Sequence, residues 1–331
     1  MNDSRIDIRS KAVENYFGHN HFKIDALPVD CSFRSYYRVR VKDKTFILMD
    51  SPPDQEDPRP FIKVTDILRK YEMSAPEIFY SDVKNGILII EDFGEYLLKS
   101  VLIQKSYDRR KLYQLAIDAL IHLQSNYQLT NEVDNYDDKP LIKEANVFTE
   151  WYLPMIARNI SSALKNEYEE IFFRLFKKLN YKSSTITLRD YHVENLFFLK
   201  ERVGIKSIGL IDYQDALNGS YAYDLVSLLE DARIEVDQKF REEMINYYLE
   251  SAHFVDRIKF LEDYIVLGVQ RDLKIIGIFA RKKMRDGNDG YVKYIPRMWK
   301  YIKDNINSPI LTPLKKWFDK AQISIEELCN D

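Results

Sequence analysis

The sequence predicts an α+β fold of two lobes, a small β-rich N-lobe followed by a larger, mainly helical C-lobe. Short alternating or apolar runs concentrate in residues 25–92, whereas apolar residues at helical spacing dominate after residue 95. Gly94 separates the two patterns. The chain has 331 residues, 45% of them hydrophobic, which is enough for a buried core and suggests one large domain or two modest ones. We therefore expect lobes at 1–93 and 94–331, with a small-ligand cleft between them.

The N-lobe elements follow from local patterns, and the first is a helix over residues 5–17, where apolar residues have helical spacing. A β-hairpin is predicted from the alternation at 37–41, the turn "KDK" and the apolar run 46–49. Four prolines in residues 51–60 predict a loop, and residues 61–71 are predicted to be helical. The segments "EIFYSD" and "GILIIEDFG" predict two further strands.

The C-lobe is predicted to be helical wherever apolar residues recur every three or four positions. This spacing occurs at 112–123, 147–156 and 171–179, and again from 221 to the end of the sequence. Two short β segments, "TITLRDYHVENLFFL" and "GIKSIGLIDYQDA", interrupt the helices. Because these two segments carry several polar residues at the ends of apolar runs, they are the candidate segments for catalytic or metal-binding residues.

The composition excludes several classes of function. The net charge of −3 gives no electrostatic reason to bind nucleic acid or an anionic membrane, and the basic run at 280–285 is interpreted as a solvated helix face. Two cysteines, Cys31 and Cys329, allow neither a disulfide framework nor a zinc site. The N-terminus lacks a secretory pattern, and no apolar run approaches the roughly 20 residues of a membrane span. We expect a cytoplasmic protein without an obligate protein partner.

Three oxygen-bearing side chains lie at the ends of apolar runs. Asp190 and Asn195 occupy a loop between "TITL" and "NLFFL", and Asp212 ends the run "IGLID". If the flanking runs pair as a hairpin, these side chains converge. Carboxylate and amide oxygens suit Mg²⁺, and an Asp that is not bound to the metal can accept a proton from an attacking hydroxyl. The pattern therefore indicates phosphoryl transfer.

The spacing D-x-x-x-x-N, followed 17 residues later by "IDYQD", resembles the catalytic loop and metal segment of the protein-kinase-like superfamily, in its aminoglycoside-phosphotransferase branch. The segments "SFRSYYR", "MDSPPDQED" and "IDYQDALNGSYAYDLVSLLEDAR" are similar to bacterial cell-wall amino-sugar kinases. The resemblance covers residues 30 to 300. It implies a bilobal kinase fold and ATP-dependent phosphorylation of the anomeric hydroxyl of N-acetylmuramate or N-acetylglucosamine in peptidoglycan recycling.

The resemblance also implies roles for individual residues. Asp190 corresponds to the catalytic base, Asn195 and Asp212 to Mg²⁺ ligands, and Asp224 to an Asp that braces the catalytic loop. ATP is expected to contact the segment "CSFRSYYR" and the inter-lobe hinge, through Ser32, Phe33, Arg34, Glu91, Asp92 and Phe93. The acceptor sugar needs polar partners and, for N-acetylmuramate, a cation. The candidates are Asp215, Asp231, Arg233 and Arg271.

Two departures from the kinase pattern leave questions open. Leu188 stands where a bracing His is common, and Met49 stands where most kinases have a phosphate-binding Lys. Arg34 and Arg38 are possible substitutes for this Lys, although either can instead be a solvated strand residue. Two other functions also stay open, a kinase for aminoglycosides or choline-like alcohols and a nucleotide-binding pseudokinase.

Overall fold

The computed structural model describes residues 5–28 and 33–329. The helices with their bounds are α1 (Ile6–Phe17), α2 (Arg59–Lys70), α3 (Leu98–Gln104), α4 (Arg109–Asn126), α5 (Asp138–Val147), α6 (Leu153–Met155), α7 (Ser162–Lys177), α8 (Tyr223–Leu229), α9 (Gln238–Ser251), α10 (Arg257–Asp286), α11 (Ile295–Asn305), α12 (Thr312–Lys320) and α13 (Ile325–Leu328). The strands are β1 (Lys23–Ala26), β2 (Ser35–Val41), β3 (Lys44–Asp50), β4 (Ile78–Asp82), β5 (Ile87–Glu91), β6 (Thr185–Thr187), β7 (Leu196–Phe198), β8 (Ile208–Leu210) and β9 (Leu217–Gly219).

The chain forms two compact units. The first comprises the described residues of Met1–Tyr107 together with Glu194–Asp215, and the second comprises Asp108–Val193 together with the described residues of Ala216–Asp331. The α+β architecture, with a five-stranded antiparallel sheet and a mainly helical remainder, is confirmed. The division of function at residue 93 stays a prediction.

The first unit is built on an antiparallel sheet with the strand order β1-β2-β3-β5-β4. The predicted hairpin is β2–β3, in which Val41 pairs with Lys44 across a two-residue turn. Helix α1 covers one face of the sheet, where Ala12 and Val13 are buried against Val39 and Leu48. Alternation along β2 therefore separates the residues that reach this core from those that do not.

Two details fix the end of β3. Asp50 is buried and accepts hydrogen bonds from Arg5, at 2.8 Å, and from Arg9 of α1, at 3.0 Å. Gly86 has a φ of +70°, and a Cβ there would lie 1.8 Å from the Ser51 carbonyl oxygen. Only glycine fits this turn, which places β3 and β5 in register before the chain enters the proline-rich loop.

Two local predictions need correction, and one strand was not predicted. The proline-rich loop ends at Pro58, because Pro60 lies in the first turn of α2, where proline is tolerated. The helix predicted over 147–156 is instead the end of α5, a π-helical turn at Phe148–Tyr152 and the short α6. Strand β1 was not predicted, since its four residues offer only two apolar positions, Ile24 and Ala26, which is too short a pattern to indicate a strand.

The second unit is organised around α10, a helix of 30 residues. A Cβ at Gly277 would lie 2.5 Å from the Val147 carbonyl, so this glycine allows α10 to approach the π-helical turn closely. Aromatic side chains fill the neighbouring core, in which Phe148 contacts Trp299 at 5.8 Å between ring centroids. Several helices of this unit begin at an Asp or Ser whose side chain accepts a backbone N–H, namely Asp108, Asp137, Ser161, Asp237, Asp256 and Ser324.

The described part of the chain contains no helix with both the length and the apolar character needed to cross a membrane.

Candidate active site

The candidate catalytic loop, residues 188–193, follows β6 in the second unit. Asp224 of α8 is buried, and its two carboxylate oxygens accept the backbone N–H groups of Leu188, at 2.7 Å, and Arg189, at 2.9 Å. Burial raises the pKa of Asp224 to about 7, against the lowering effect of these two donors. Asp224 therefore fixes the chain directly before Asp190, as the bracing role predicts.

A second buried carboxylate holds the other end of the loop. Asp231 accepts the backbone N–H of Val193 at 3.2 Å and that of Arg233 at 2.7 Å. Its exposure is 1%, so both oxygens face protein rather than solvent. Between the two carboxylates, the Tyr191 hydroxyl donates to the Ala116 carbonyl oxygen at 2.8 Å. The loop around Asp190 is thus fastened on both sides of the predicted base.

His192, two residues after Asp190, packs inside the loop. It is buried, and burial lowers its pKa to about 3, with a further lowering from the Arg233 charge. The imidazole is therefore neutral at physiological pH.

The predicted acceptor residues are divided between the two units. Asp215 is exposed and belongs to the first unit, where it accepts a hydrogen bond from Gln214 at 3.4 Å. Asp231, Arg233 and Arg271 belong to the second. Arg271 is 3% exposed, and its Nη1 has no hydrogen-bond partner in the part of the chain that the structure describes. A buried guanidinium with a donor to spare is suited to an anionic ligand.

The predicted metal ligands lie in the first unit, at the end of the β7–β8 pair. These strands are antiparallel with Leu196 opposite Leu210, and the Ile211 N–H donates to the Asn195 carbonyl oxygen at 3.1 Å. Strand β6 pairs with β9, so the hairpin that aligns the ligands is β7–β8 alone. The pairing brings the Asn195 Nδ2 to 3.5 Å from Asp212 Oδ2, and Asp212 has a left-handed φ of 58°.

This donor set fits a divalent cation. An amide and a carboxylate stand side by side, and the amide oxygen reaches the same space when the group rotates about its last bond. Among the residues that the structure describes, no group of three or more His, Cys, Asp or Glu side chains is arranged to hold a metal ion. Mg²⁺ commonly takes one or two protein ligands and completes its shell with water and phosphate oxygens.

Arg34 stands beside the metal aspartate. Its exposure is 6%, and its guanidinium contacts Glu56 at 2.9 Å, Gln214 at 2.7 Å and Asp212 at 3.3 Å. Met49, at the position of the missing lysine, is fully buried. Arg34 with Glu56 therefore forms an ion pair next to Asp212, which is the arrangement expected of a substitute for the lysine. Ser32 lies outside the described residues, and the neighbouring Phe33 is 66% exposed.

Arg38 has a different position from Arg34. Its Nε lies 2.7 Å from Asp92 Oδ2, and Asp92 Oδ1 accepts the Gly94 N–H at 2.9 Å. Arg38 thus fixes the predicted hinge rather than the neighbourhood of Asp212.

The hinge residues have unequal freedom to bind adenine. The Glu91 N–H is already donated to the Glu77 carbonyl oxygen, at 2.8 Å, and the Glu91 carboxylate pairs with Arg202. In residues 5–28 and 33–329, the backbone of Phe93 has no hydrogen bond. A Cβ at Gly209 would lie 2.9 Å from the Phe93 ring, so Gly209 makes room for this ring. Of the three predicted contacts, Phe93 offers the clearest backbone edge for a ligand.

Sequence reasoning missed several supporting residues. Asp92 was assigned to ATP rather than to Arg38. Glu144, which pairs with Arg189, and Lys274, which pairs with Glu144, received no role. Glu144 and Lys274 lie on helices far along the chain from Asp190, and their helical spacing carries no signal of a polar network.

A phosphotransferase family model matches residues 23–258. The chain belongs to the phosphotransferase enzyme family. The predicted enzyme class is confirmed, and with it the resemblance given by the catalytic-loop and metal-segment motifs.

Two curated relatives are more specific. The chain is 31% identical to a protein of Caulobacter vibrioides, over 92% of this chain and 93% of the relative. It is 33% identical to a protein of Pseudomonas aeruginosa, over 83% of this chain and 81% of the relative. Both relatives are named N-acetylmuramate/N-acetylglucosamine kinase.

The fold is also that of solved phosphotransferases. The structure matches the choline kinase LicA of Streptococcus pneumoniae with a TM-score of 0.62, covering 90% of this chain and 98% of that one. At 14% identity, this similarity establishes the kinase-like fold and carries no information about the acceptor.

Proposed function

We propose that the protein is an ATP-dependent kinase that phosphorylates the anomeric hydroxyl of N-acetylmuramate, N-acetylglucosamine or both. The observation that carries the proposal is the pair of relatives named N-acetylmuramate/N-acetylglucosamine kinase, at 31% and 33% identity over most of the chain. The phosphotransferase family match and the motifs around Asp190 and Asp212 agree with it.

Asp190 is proposed as the base. It accepts the proton of the sugar hydroxyl while the hydroxyl oxygen attacks the γ-phosphorus of ATP, and ADP leaves. An anomeric hydroxyl is more acidic than an ordinary alcohol, so a carboxylate is a sufficient base. Asp224 and Asp231 hold the loop on either side, which keeps Asp190 in one orientation and reduces the entropy cost of alignment.

Asn195 and Asp212 are proposed to hold Mg²⁺. The bound ion neutralises charge on the β- and γ-phosphates. Arg34 supplies the fixed positive charge that the missing lysine provides in other kinases, and it orients Asp212 through the 3.3 Å contact. The backbone of the hinge, above all that of Phe93, is proposed to bind the adenine edge.

The acceptor is proposed to contact the second unit through Arg233 and Arg271. The lactyl carboxylate of N-acetylmuramate needs a cation, and the spare donor of Arg271 suits it. Asp231 acts chiefly through the loop, because Val193 and Arg233 already donate to its oxygens. Asp215, which is exposed, is the candidate partner for a sugar hydroxyl or the acetamido group.

The test is a product assay with a matched set of acceptors. Purified protein, ATP and Mg²⁺ are incubated separately with N-acetylmuramate, N-acetylglucosamine, their 1-O-methyl glycosides, choline and an aminoglycoside. Phosphorus NMR and mild acid treatment identify the product, since a sugar 1-phosphate is acid-labile and a 6-phosphate is not. We expect turnover of the free sugars alone. Phosphorylation of the methyl glycosides would refute the anomeric assignment, and faster turnover of choline or the aminoglycoside would refute the sugar.

A further inference from the structure

We propose that Glu144, together with Lys274, is a positioning residue that sets the orientation of Asp190 by holding the side chain of Arg189. The inference rests on the proposed role of Asp190 as the base, and it names a residue that the sequence left without any function.

Arg189 is the link because it directly precedes Asp190 and has an unusual backbone. Its φ is 70°, in the left-handed region that a long side chain rarely adopts, so the surrounding structure must hold it there. Asp224 accepts its N–H at 2.9 Å, and the Ser227 hydroxyl donates to its carbonyl oxygen at 3.2 Å. The backbone of Arg189 is therefore fixed at both its N–H and its carbonyl group, but these contacts do not determine the position of the guanidinium.

Glu144 of α5 determines the position of this guanidinium through an ion pair. Its Oε1 atom pairs with the Arg189 guanidinium. Its Oε2 atom accepts a hydrogen bond from the Tyr136 hydroxyl and lies 3.0 Å from Lys274 Nζ. The Glu144 side chain is only 13% exposed. Burial works to raise the pKa of Glu144, but Lys274 and Arg189 outweigh it and lower the pKa below its usual range. Glu144 is therefore an ionised carboxylate between two cations.

Lys274 of α10 completes the arrangement. Its side chain is 12% exposed, and Nζ also lies 3.4 Å from the Tyr223 hydroxyl, which is 3.0 Å from the Tyr136 hydroxyl. Burial disfavours the charged amine, yet Glu144 raises the pKa of Lys274, so both groups stay charged. Two tyrosines, one carboxylate and two cations thus form a contiguous polar network against the catalytic loop.

The charge of Glu144 explains why the network matters for Asp190. The negative charge of Asp190 also raises the pKa of Arg189 and of Lys274, so it lies within electrostatic reach of both cations. Without the Glu144 charge, Asp190 is a carboxylate that still attracts both cations. A contact with Arg189 would move the Asp190 carboxylate out of the orientation in which it is proposed to accept the proton.

The network also answers the question raised by Leu188. This side chain is apolar and 3% exposed, so it can brace the loop only by packing. A histidine at the same position would add a polar brace. The Glu144–Arg189 pair supplies a polar brace one residue later along the chain.

The test compares Glu144→Gln, Glu144→Asp and a matched control, Asp138→Asn. Asp138 lies on the same helix and also pairs with two cations, Lys177 at 2.6 Å and Lys182 at 2.5 Å, but it does not contact the catalytic loop. We expect Glu144→Gln to lower kcat by about 10- to 100-fold, the effect of a small misplacement of a catalytic group. Glu144→Asp is expected to recover part of the loss, and Asp138→Asn to keep wild-type kcat.

The decisive readout is the split between kcat and the binding constants. For Glu144→Gln we expect unchanged ATP affinity and KM, with the thermal unfolding midpoint above the assay temperature. A wild-type kcat, or a fall in kcat matched by an equal fall in ATP affinity, would overturn the proposal. If Glu144→Gln does not fold, Arg189→Met replaces it, since this variant removes the same ion pair from its other side; a wild-type kcat there overturns the proposal equally.

Failure of this inference is distinguishable from failure of the proposed function through Asp190→Asn. Full turnover by Asp190→Asn would refute Asp190 as the base and with it the proposed mechanism. Loss of turnover in Asp190→Asn, with wild-type kcat in Glu144→Gln, would refute the positioning role alone.

Discussion

Replacing Arg34 by methionine tests the proposed substitute for the missing lysine. The change removes a guanidinium that contacts Glu56 at 2.9 Å and Asp212 at 3.3 Å, and it keeps a long apolar stem in a site that is 6% exposed. Hydrogen bonds to charged groups contribute roughly 1.5–3 kcal/mol each. Glu56 and Asp212 have side chains that are 27% and 43% exposed, so water screens part of the interaction.

We therefore take about 2 kcal/mol as the loss in free energy of Mg–ATP binding, which corresponds to about a 30-fold increase in Kd. Lysine at this position keeps the charge but lacks the planar fork that reaches Gln214 and Asp212 together, so Arg34→Lys is expected to have an intermediate Kd. The stability of the free protein should change less than nucleotide binding, since the two carboxylates regain water.

The assay is isothermal titration of each variant with Mg and a non-hydrolysable ATP analogue. Arg40→Met is the matched control, because Arg40 lies on β2 and pairs with Asp25 on the exposed side of the sheet. Its Kd should equal that of the wild type. A wild-type Kd for Arg34→Met, or an equal weakening by Arg40→Met, would refute the assignment of Arg34 to the phosphates.

Three further variants test the remaining groups. Asp190→Ala should lower turnover by about 10²- to 10⁴-fold and leave ATP affinity unchanged, measured by product formation and titration. Asp212→Ala should remove the Mg²⁺ dependence of nucleotide affinity, measured by titration with and without the ion. Since the pKa of Asp224 is about 7, kcat should fall as the pH decreases through 7, because the protonated group no longer accepts both loop N–H donors. Asp224→Asn should abolish this acid limb.

The contribution of Asp224 to the free energy of unfolding should depend on pH in the opposite direction to kcat: it should decrease as the pH rises. Folding raises the pKa of Asp224 from 3.8 to about 7, so the folded protein binds a proton that the unfolded chain lacks between these values. The contribution of this group to the free energy of unfolding is therefore fully present below 3.8 and is lost as the pH rises through 7. Denaturant titrations of wild type and Asp224→Asn across this range measure it. A difference between them that does not vary with pH would contradict the assigned ionisation.

Two outcomes would contradict the assignments of Asp190 as the base and of Asp212 as a metal ligand. Full turnover by Asp190→Ala would show that another group takes the proton. Unaltered Mg²⁺ dependence in Asp212→Ala would show that the metal ligand lies elsewhere.

Local patterns were enough to predict much of the fold. Alternation along β2 and the turn "KDK" predicted the central hairpin, in which Val41 pairs with Lys44. The spacing of Asn195 and Asp212 predicted ligands that the β7–β8 register brings to 3.5 Å from each other. Strand β1, at an edge of the sheet, could not be predicted, because four residues with two apolar positions are too short a pattern to indicate a strand.

The supporting contacts of the site lay beyond local reasoning for a physical reason. The Arg34–Asp212 contact joins residues 178 positions apart, and the Glu144–Arg189 contact joins residues 45 positions apart. Which of many charged side chains become partners depends on the packing of whole elements, which no short window of sequence contains. Sequence reasoning named Arg34 because it lies in the segment "CSFRSYYR" and because a lysine was missing, and no comparable signal pointed to Glu144.

The membership of residues 194–215 in the first unit has a consequence for how the protein is made. Strand β8 meets Ser74 through Gly209, and β7 meets Leu97 through Phe197, so the sheet unit uses backbone partners synthesised some hundred residues after it. On the ribosome, the backbone bridges of Ser74 and Leu97 can therefore form only after their partners, Gly209 and Phe197, have emerged from the exit tunnel. If the N-terminal segment is expressed by itself, Ser74 and Leu97 lack these backbone partners, and their backbone groups are available to other chains.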